Sequence, residues 1–368
     1  MEKPLQRFHS TALLAAFFLA LGAQSIYALD IPPAKVQTPS RFSHAVWAGY
    51  SWFAGAKAHF SPVTSPYGDR PPPLLTEEFR DFARTLAENR VDTVFVFVGS
   101  MGDMGRLPLW PLLPESPLGR LREKAGDEWI PIRRLRYELA RFGPPPRILA
   151  WVGGVRKGWD RGKIDLSDPR ALEAAAWLGE RLSQEDASFD GVHFNIEPTL
   201  EGDPRVLELL DKVRPKLRGK MLSFAGTMVD EELSRVAGLR ERFWSSEYLA
   251  EVARRVDQIA FMTYDTAAKD ASLYEDFVET QTRLLARHVH RANPSCEIFI
   301  GAPTYRERTG WHDPAAETAA ASARGFLRAF EGLGPEKKQI KGLAFYAAWT
   351  TQPEDWRTVA RALGWQEK

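Results

Sequence analysis

A single cysteine, Cys296, is all that the 368-residue chain contains, so no disulfide framework exists and the fold must rest on its core. Cys296 opens an apolar stretch and reads as a buried thiol rather than a nucleophile. An excess of charge of either sign is missing too. With 49 basic against 48 acidic residues the formal charge is +1, which gives no basis for nucleic acid or an anionic membrane as partner. Long apolar runs are absent except near the start, where Lys3 and Arg7 precede a run from Ala12 to Ala23. That run falls short of the about 20 residues that span a bilayer, and small residues follow it, with Ser25 or Ala28 as cleavage positions. Residues 1–28 therefore read as a signal peptide, and 29–368 as an exported, periplasmic or extracellular protein without a membrane span. No cysteine near the cleavage region offers a lipid anchor. Also missing are a His-Glu-x-x-His motif, a Cys pair, a Gly-rich phosphate loop and a Gly-x-Ser-x-Gly turn, so neither a cofactor nor a metal is implied. His288 and His290, two apart on a predicted helix, cannot face one centre and are expected to face solvent.

What is present is repetition. Eight short apolar runs read as strands: Val46 to Tyr50, Val94 to Val98, Ile148 to Val152, Val192 to Ile196, Met221 to Ala225, Ile259 to Met262, Ile298 to Ala302 and Leu343 to Ala347. Segments of helical periodicity follow them: Thr76 to Asn89, Ile132 to Phe142, Pro169 to Gln184, Pro204 to Leu217, Ser246 to Arg255, Leu273 to Ala292, Glu317 to Leu333 and Pro353 to Leu363. Asp168-Pro169, Asp203-Pro204 and Gln352-Pro353 supply N-terminal helix signals, with Pro suited to the first turn. Eightfold strand-helix alternation specifies an α/β fold, a single-domain (β/α)8 TIM barrel. The connection over about 99–131, rich in Pro, Gly and Leu and carrying Trp110 and Trp129, falls on the side where such barrels build their active sites. It can wall a groove or serve as packing or a partner surface. Twelve tryptophans suit sugar rings as well as core packing, which remains the default for most of them.

The most informative stretch is Phe189-Asp190-Gly191-Val192-His193-Phe194-Asn195-Ile196-Glu197-Pro198. Side chains alternate along a strand, so Val192, Phe194 and Ile196 share one face while His193, Asn195 and Glu197 share the other. Burying a carboxylate without partners costs several kcal/mol, so three polar groups on an inner face point to the lining of a cavity. The three could converge on one ion, but the rest of a metal site is missing.

Four strand ends in order then resemble glycoside hydrolase family 18, the chitinases and endo-β-N-acetylglucosaminidases. Leu149-Ala150-Trp151-Val152-Gly153-Gly154 is similar to that family's Ser-x-Gly-Gly strand, with Trp151 in place of the serine. Asp190 to Glu197 resembles Asp-Gly-x-Asp-x-Asp-x-Glu. Met262, Tyr264 and Asp265 fit Met-x-Tyr-Asp, and Gly301-Ala302-Pro303-Thr304-Tyr305 fits Gly-x-Pro-x-Tyr. The resemblance covers about residues 147 to 306. It implies a polysaccharide or oligosaccharide substrate and a monomeric, retaining hydrolase in which Glu197 is the general acid and the substrate's 2-acetamido oxygen is the nucleophile. Asn195 stands where the family carries an acetamide-orienting acid. The resulting Asn-x-Glu pair is similar to that of glycoside hydrolase family 85, and its amide oxygen can still accept the acetamide N–H. His193 replaces an inner aspartate and is expected among the substrate-binding residues; neutral it can hold Asn195, protonated it would lower the pKa of Glu197. The resemblance further implies that Tyr264 hydrogen-bonds the acetamide carbonyl, that Met262, Asp265 and Tyr305 line the sugar site, and that Tyr346 or Trp349 forms its aromatic floor. Tyr50 and Trp52, of one parity after the first strand, are expected either to extend that floor or to pack in the core. A glycan-binding barrel without turnover is the competing expectation, motivated by the two missing aspartates and opposed by the retained Glu197.

Overall fold

The computed structural model describes residues 42–49, 76–101, 131–160, 162–184 and 188–365. The expected leader, Tyr50, Trp52 and most of the 99–131 connection, with Trp110 and Trp129, lie outside the described residues. Within them run eight barrel strands: β1 His44–Ala48, β2 Val91–Ser100, β3 Arg147–Val155, β4 Gly191–Glu197, β5 Met221–Gly226, β6 Gln258–Phe261, β7 Glu297–Pro303 and β8 Ile340–Tyr346. The α-helices are α1 Thr76–Glu88, α2 Pro131–Leu139, α3 Pro169–Leu182, α4 Pro204–Val213, α5 Ser246–Ala253, α6 Ala271–Ala292, α7 Ala319–Glu331 and α8 Pro353–Ala362. Each strand pairs in parallel with its neighbours in sequence, and β1 pairs with β8 as well as β2, which closes the barrel. No helix among the described residues is long and apolar enough to cross a membrane.

The helix starts follow their local chemistry. The carboxylates of Asp168 and Asp203 accept from the backbone N–H of Arg170 and Arg205, with Pro169 and Pro204 in the first turn. Gln352 and Asp355 form a reciprocal capping box ahead of α8.

Strand alternation divides the apolar residues between two cores. Val46, Val94, Ile148, Val192, Phe194, Leu222, Ile259, Ile298 and Leu343 face outward and pack beneath the helices. Ala45, Trp47, Phe95, Leu149, Trp151, Ala260, Phe299 and Ala344 fill the barrel. Small Ala45, Ala260 and Ala344 leave room for the large rings opposite, as dense interior packing requires. Cys296 is buried, and burial pushes its thiol pKa up. His288 and His290 are half-buried rather than solvent-facing; His290 Nδ1 lies 2.9 Å from Gln339 Oε1 on the surface of α6.

Candidate active site

At the N-terminal end of β4 the acid of Asp190 is a structural pin. Its Oδ2 accepts from the Ile148 N–H at 2.7 Å and pairs with Arg136 at 2.6 Å, locking β4 against β3 and α2. The register then sets His193 beside Trp151, Asn195 beside Gly153 and Glu197 beside Val155.

His193 sits below the site. The Trp47 Nε1–H donates to its Nε2 at 3.3 Å, so the ring proton lies on Nδ1 and donates to Ser223 Oγ at 2.8 Å. Ser223 Oγ donates on to Gln258 Oε1 at 3.0 Å, and Gln258 Nε2 to Glu297 at 3.1 Å. Glu297 is held by Arg147 at 2.7 Å and Lys341 at 3.0 Å. Phe95 stacks on the imidazole with centroids 4.0 Å apart. Burial lowers the His193 pKa to about 3, so the ring is neutral. The expectation that His193 contacts substrate is therefore corrected: it is fully buried, and both nitrogens are already engaged.

Asn195 and Glu197 lie higher. Glu197, at the C-terminal end of β4, opens to solvent at the mouth. Desolvation raises its pKa; a hydrogen bond from Asn195 opposes this, the negative charge of Asp265 adds to it and Arg242 again opposes. A carboxylate only accepts, so the Asn195 amide nitrogen faces Glu197. That leaves Asn195 Oδ1 buried without a hydrogen bond, and Trp151 Nε1, on the neighbouring strand, is likewise an unmatched donor. The Arg156 N–H donates to the Glu197 main-chain carbonyl at 2.8 Å, which fixes the strand end from which the carboxylate projects.

Aromatic rings wall the mouth. Tyr264, three residues past β6, stacks on Tyr346 at 5.7 Å, and Tyr305 meets both edge-on at 6.1 Å. Trp47 and Trp349 close on Tyr346 at 5.6 and 5.8 Å, placing Tyr346 at the centre of the group and Trp349 at its side. Trp349 lies so close to Gly49 that a Cβ there would stand 3.0 Å from its ring. Burial raises the Tyr264 pKa well above its ordinary value, and the charge of Glu197 adds to it. Met262 is half-buried, its N–H donating to the Gly226 carbonyl at 2.8 Å. Asp265 adopts a left-handed backbone, φ +59°, a conformation that Asp tolerates better than most residues. The Arg242 guanidinium steadies it, donating to the Asp265 carbonyl at 3.0 Å while lying 3.8 Å over the Trp311 ring. The Tyr305 hydroxyl donates to Asp265 Oδ1 at 2.5 Å. Behind it stand His312 and Glu317, which, like Arg242, belong to no motif and come from loops distant in sequence; nothing short of the folded chain could have assembled them.

These features define a (β/α)8 barrel with its polar and aromatic groups gathered at the C-terminal mouth, as the fold dictates. Among solved structures the chain is similar to the Bacillus cereus spore cortex-lytic enzyme SleL, with a TM-score of 0.51 and 10% identity over 88% of this chain and 74% of that one. It is also similar to a chitinase from Chromobacterium violaceum, with a TM-score of 0.50 and 13% identity over 88% and 100% of the two chains. A fungal endo-β-N-acetylglucosaminidase from glycosyl hydrolase family 18 matches with a TM-score of 0.50 and 12% identity over 87% and 96%. At such identities the likeness is one of fold. No protein-family model and no curated protein matches the chain.

Proposed function

We propose that the protein is a retaining, substrate-assisted glycoside hydrolase acting on β-linked N-acetylhexosamine glycans, with Glu197 as general acid and then base. The observation that carries this reading is the pairing of Glu197, whose pKa is raised, with an Asn195 amide whose Oδ1 is buried and unmatched. A raised pKa keeps a carboxyl protonated closer to neutral pH, which suits a group that must deliver a proton to the glycosidic oxygen. Asn195 Oδ1 would accept the acetamide N–H and aim the acetamide oxygen at the anomeric carbon. The Tyr264 hydroxyl would donate to the acetamide carbonyl, and Tyr346, Trp349, Tyr305, Met262 and Asp265 would hold the ring. Once the leaving group departs, Glu197 would take a proton from the water that opens the oxazolinium, which restores it as acid. His193 has a supporting part: as a neutral ring it keeps β4 in place and puts no positive charge under Glu197. The wider fold likeness is consistent with this reading, and export through the signal peptide would bring the enzyme to its polymer.

The test is product release from chitin oligomers, peptidoglycan fragments and high-mannose N-glycans by the mature protein beside Glu197→Gln. Cleavage lost in the variant supports the glycosidase and identifies its substrate class. Binding without cleavage by both proteins would instead establish a glycan-binding barrel.

A further inference from the structure

We infer that Asp265, His312 and Glu317 form a binding site for one divalent transition ion of the zinc or manganese type, beside the sugar site. The inference begins with a proton count. His312 is fully buried, and its Nε2 lies 3.4 Å from the Tyr305 carbonyl, an acceptor, so Nε2 carries the hydrogen. Nδ1 then points a lone pair at two carboxylates, 3.5 Å from Glu317 Oε2 and 3.8 Å from Asp265 Oδ1, and makes no hydrogen bond. A lone pair facing two anions repels both, so the arrangement calls for positive charge there, a metal ion or a second ring proton. Separations of 3.5 and 3.8 Å with no hydrogen bond made are long for an N–H···O contact and favour the ion.

The spacing suits a metal ion. One ligand atom from each residue falls within 4.8 Å of the other two. Ligands about 2.0–2.2 Å from a tetrahedral ion stand about 3.4 Å apart, close to the 3.5 and 3.8 Å that separate His312 Nδ1 from the two carboxylates. The outer contacts also fit. Metal-bound imidazoles usually donate their second N–H to a carbonyl, as His312 does to Tyr305. The Tyr305 hydroxyl orients Asp265, and Thr266 orients Glu317: its hydroxyl donates to Oε1 at 3.1 Å and its N–H is shared between Oε1 at 3.1 Å and Oε2 at 3.3 Å, with Oε2 the oxygen nearer His312. The Arg242 guanidinium hydrogen-bonds the Asp265 carbonyl, and among the described residues neither carboxylate has an ion pair with any group other than His312. An imidazole with two carboxylates favours zinc or manganese over calcium or magnesium. Asp265 is part-exposed and gives the ion a way in.

The test uses untagged full-length mature protein, stripped with a chelator and titrated calorimetrically with zinc and with manganese; cobalt is added separately to read its visible absorption. One equivalent should bind, at micromolar dissociation constant or tighter. Affinity should fall at least about 100-fold in His312→Asn and in Glu317→Gln, which keeps an acceptor for Thr266. Glu197→Gln should bind the metal as the parent does. Absence of saturable binding, or equal binding by His312→Asn and Glu317→Gln, would overturn the site, as would an imidazolium signature for His312 in NMR spectra recorded with metal present. Neither result bears on glycan cleavage, which is read separately.

Discussion

His193 and Asn195 face the barrel interior from one strand, two residues apart, and differ in whether the protein meets their polar atoms. Around His193 every hydrogen-bonding group has a partner, through Trp47, Ser223, Gln258 and Glu297 to the cations of Arg147 and Lys341. Around Asn195 two buried atoms, Asn195 Oδ1 and Trp151 Nε1, have none. A satisfied buried network stabilises and specifies the core, whereas an unmatched buried group costs about 1–3 kcal/mol and is tolerated where a ligand will complete it. Around β4 the lower half of the barrel is thus complete as folded, and the upper half carries the open polar atoms that the proposed substrate would meet.

Glu197→Gln breaks the upper half most severely. Turnover should fall about 10²–10⁴-fold, the usual contribution of a positioned acid or base, with glycan binding and folding retained. Because the folded state raises this pKa, the ionised carboxylate opposes folding once pH exceeds its value when unfolded. The variant's melting temperature at pH 7 should therefore equal or exceed that of the parent. A drop of many degrees would place Glu197 with the structural half instead.

The mirror-image substitution, His193→Ala, should reverse that pattern. It removes the Phe95 stack and leaves Trp47 Nε1 and Ser223 Oγ each short of a partner, so denaturant unfolding should show a loss of about 3 kcal/mol. Acid should find the same weakness. The pKa of His193 and of the equally buried His44 is about 3 in the folded chain, against 6.5 as the ordinary value. Above pH 6.5 neither ring is protonated in either state, and their neutral packing counts in full. Between pH 6.5 and about 3 the unfolded chain takes up protons that the folded one refuses, and stability falls by about 1.4 kcal/mol per unit for each ring. Unfolding measured from pH 7 to 4.5 should show this slope, and His193→Gln should remove roughly half of it. An unchanged slope would mean that His193 charges inside the barrel.

This division was only half visible in the sequence. Strand alternation placed Val192, Phe194 and Ile196 outside and His193, Asn195 and Glu197 inside, because a period of two depends on nothing beyond the strand itself. The eight strands and the starts of α3, α4 and α8 were legible for the same reason: their signals are local. Parity could not say how deep each inward residue lies. Depth depends on register against β3 and β5, which seats His193 between Trp151 and Ser223, and on rings as remote as Trp47 and Phe95. His193 therefore read as a substrate contact, although its partners are spread over four other strands. Asp265 read as a sugar ligand, but its companions His312 and Glu317 come from the connection after β7, where no motif signals them.

The smallest effect, and the sharpest test of the boundary between the halves, is expected from Asn195→Asp. The substitution keeps an acceptor where Oδ1 now stands and brings a second carboxyl beside Glu197. Two neighbouring carboxylates resist joint ionisation, so the pKa of Glu197 should rise further. The alkaline limb of the rate profile, set by loss of the acid's proton, should then move up by about one pH unit, with turnover at the optimum within about tenfold of the parent. Stability at pH 7 should fall slightly, since the amide hydrogen bond to Glu197 becomes a repulsion. Asn195 would belong to the satisfied core if the variant lost several kcal/mol of stability while its pH profile stayed fixed. A shifted limb on an intact barrel would mark the line between scaffold and site as falling between residues 193 and 195.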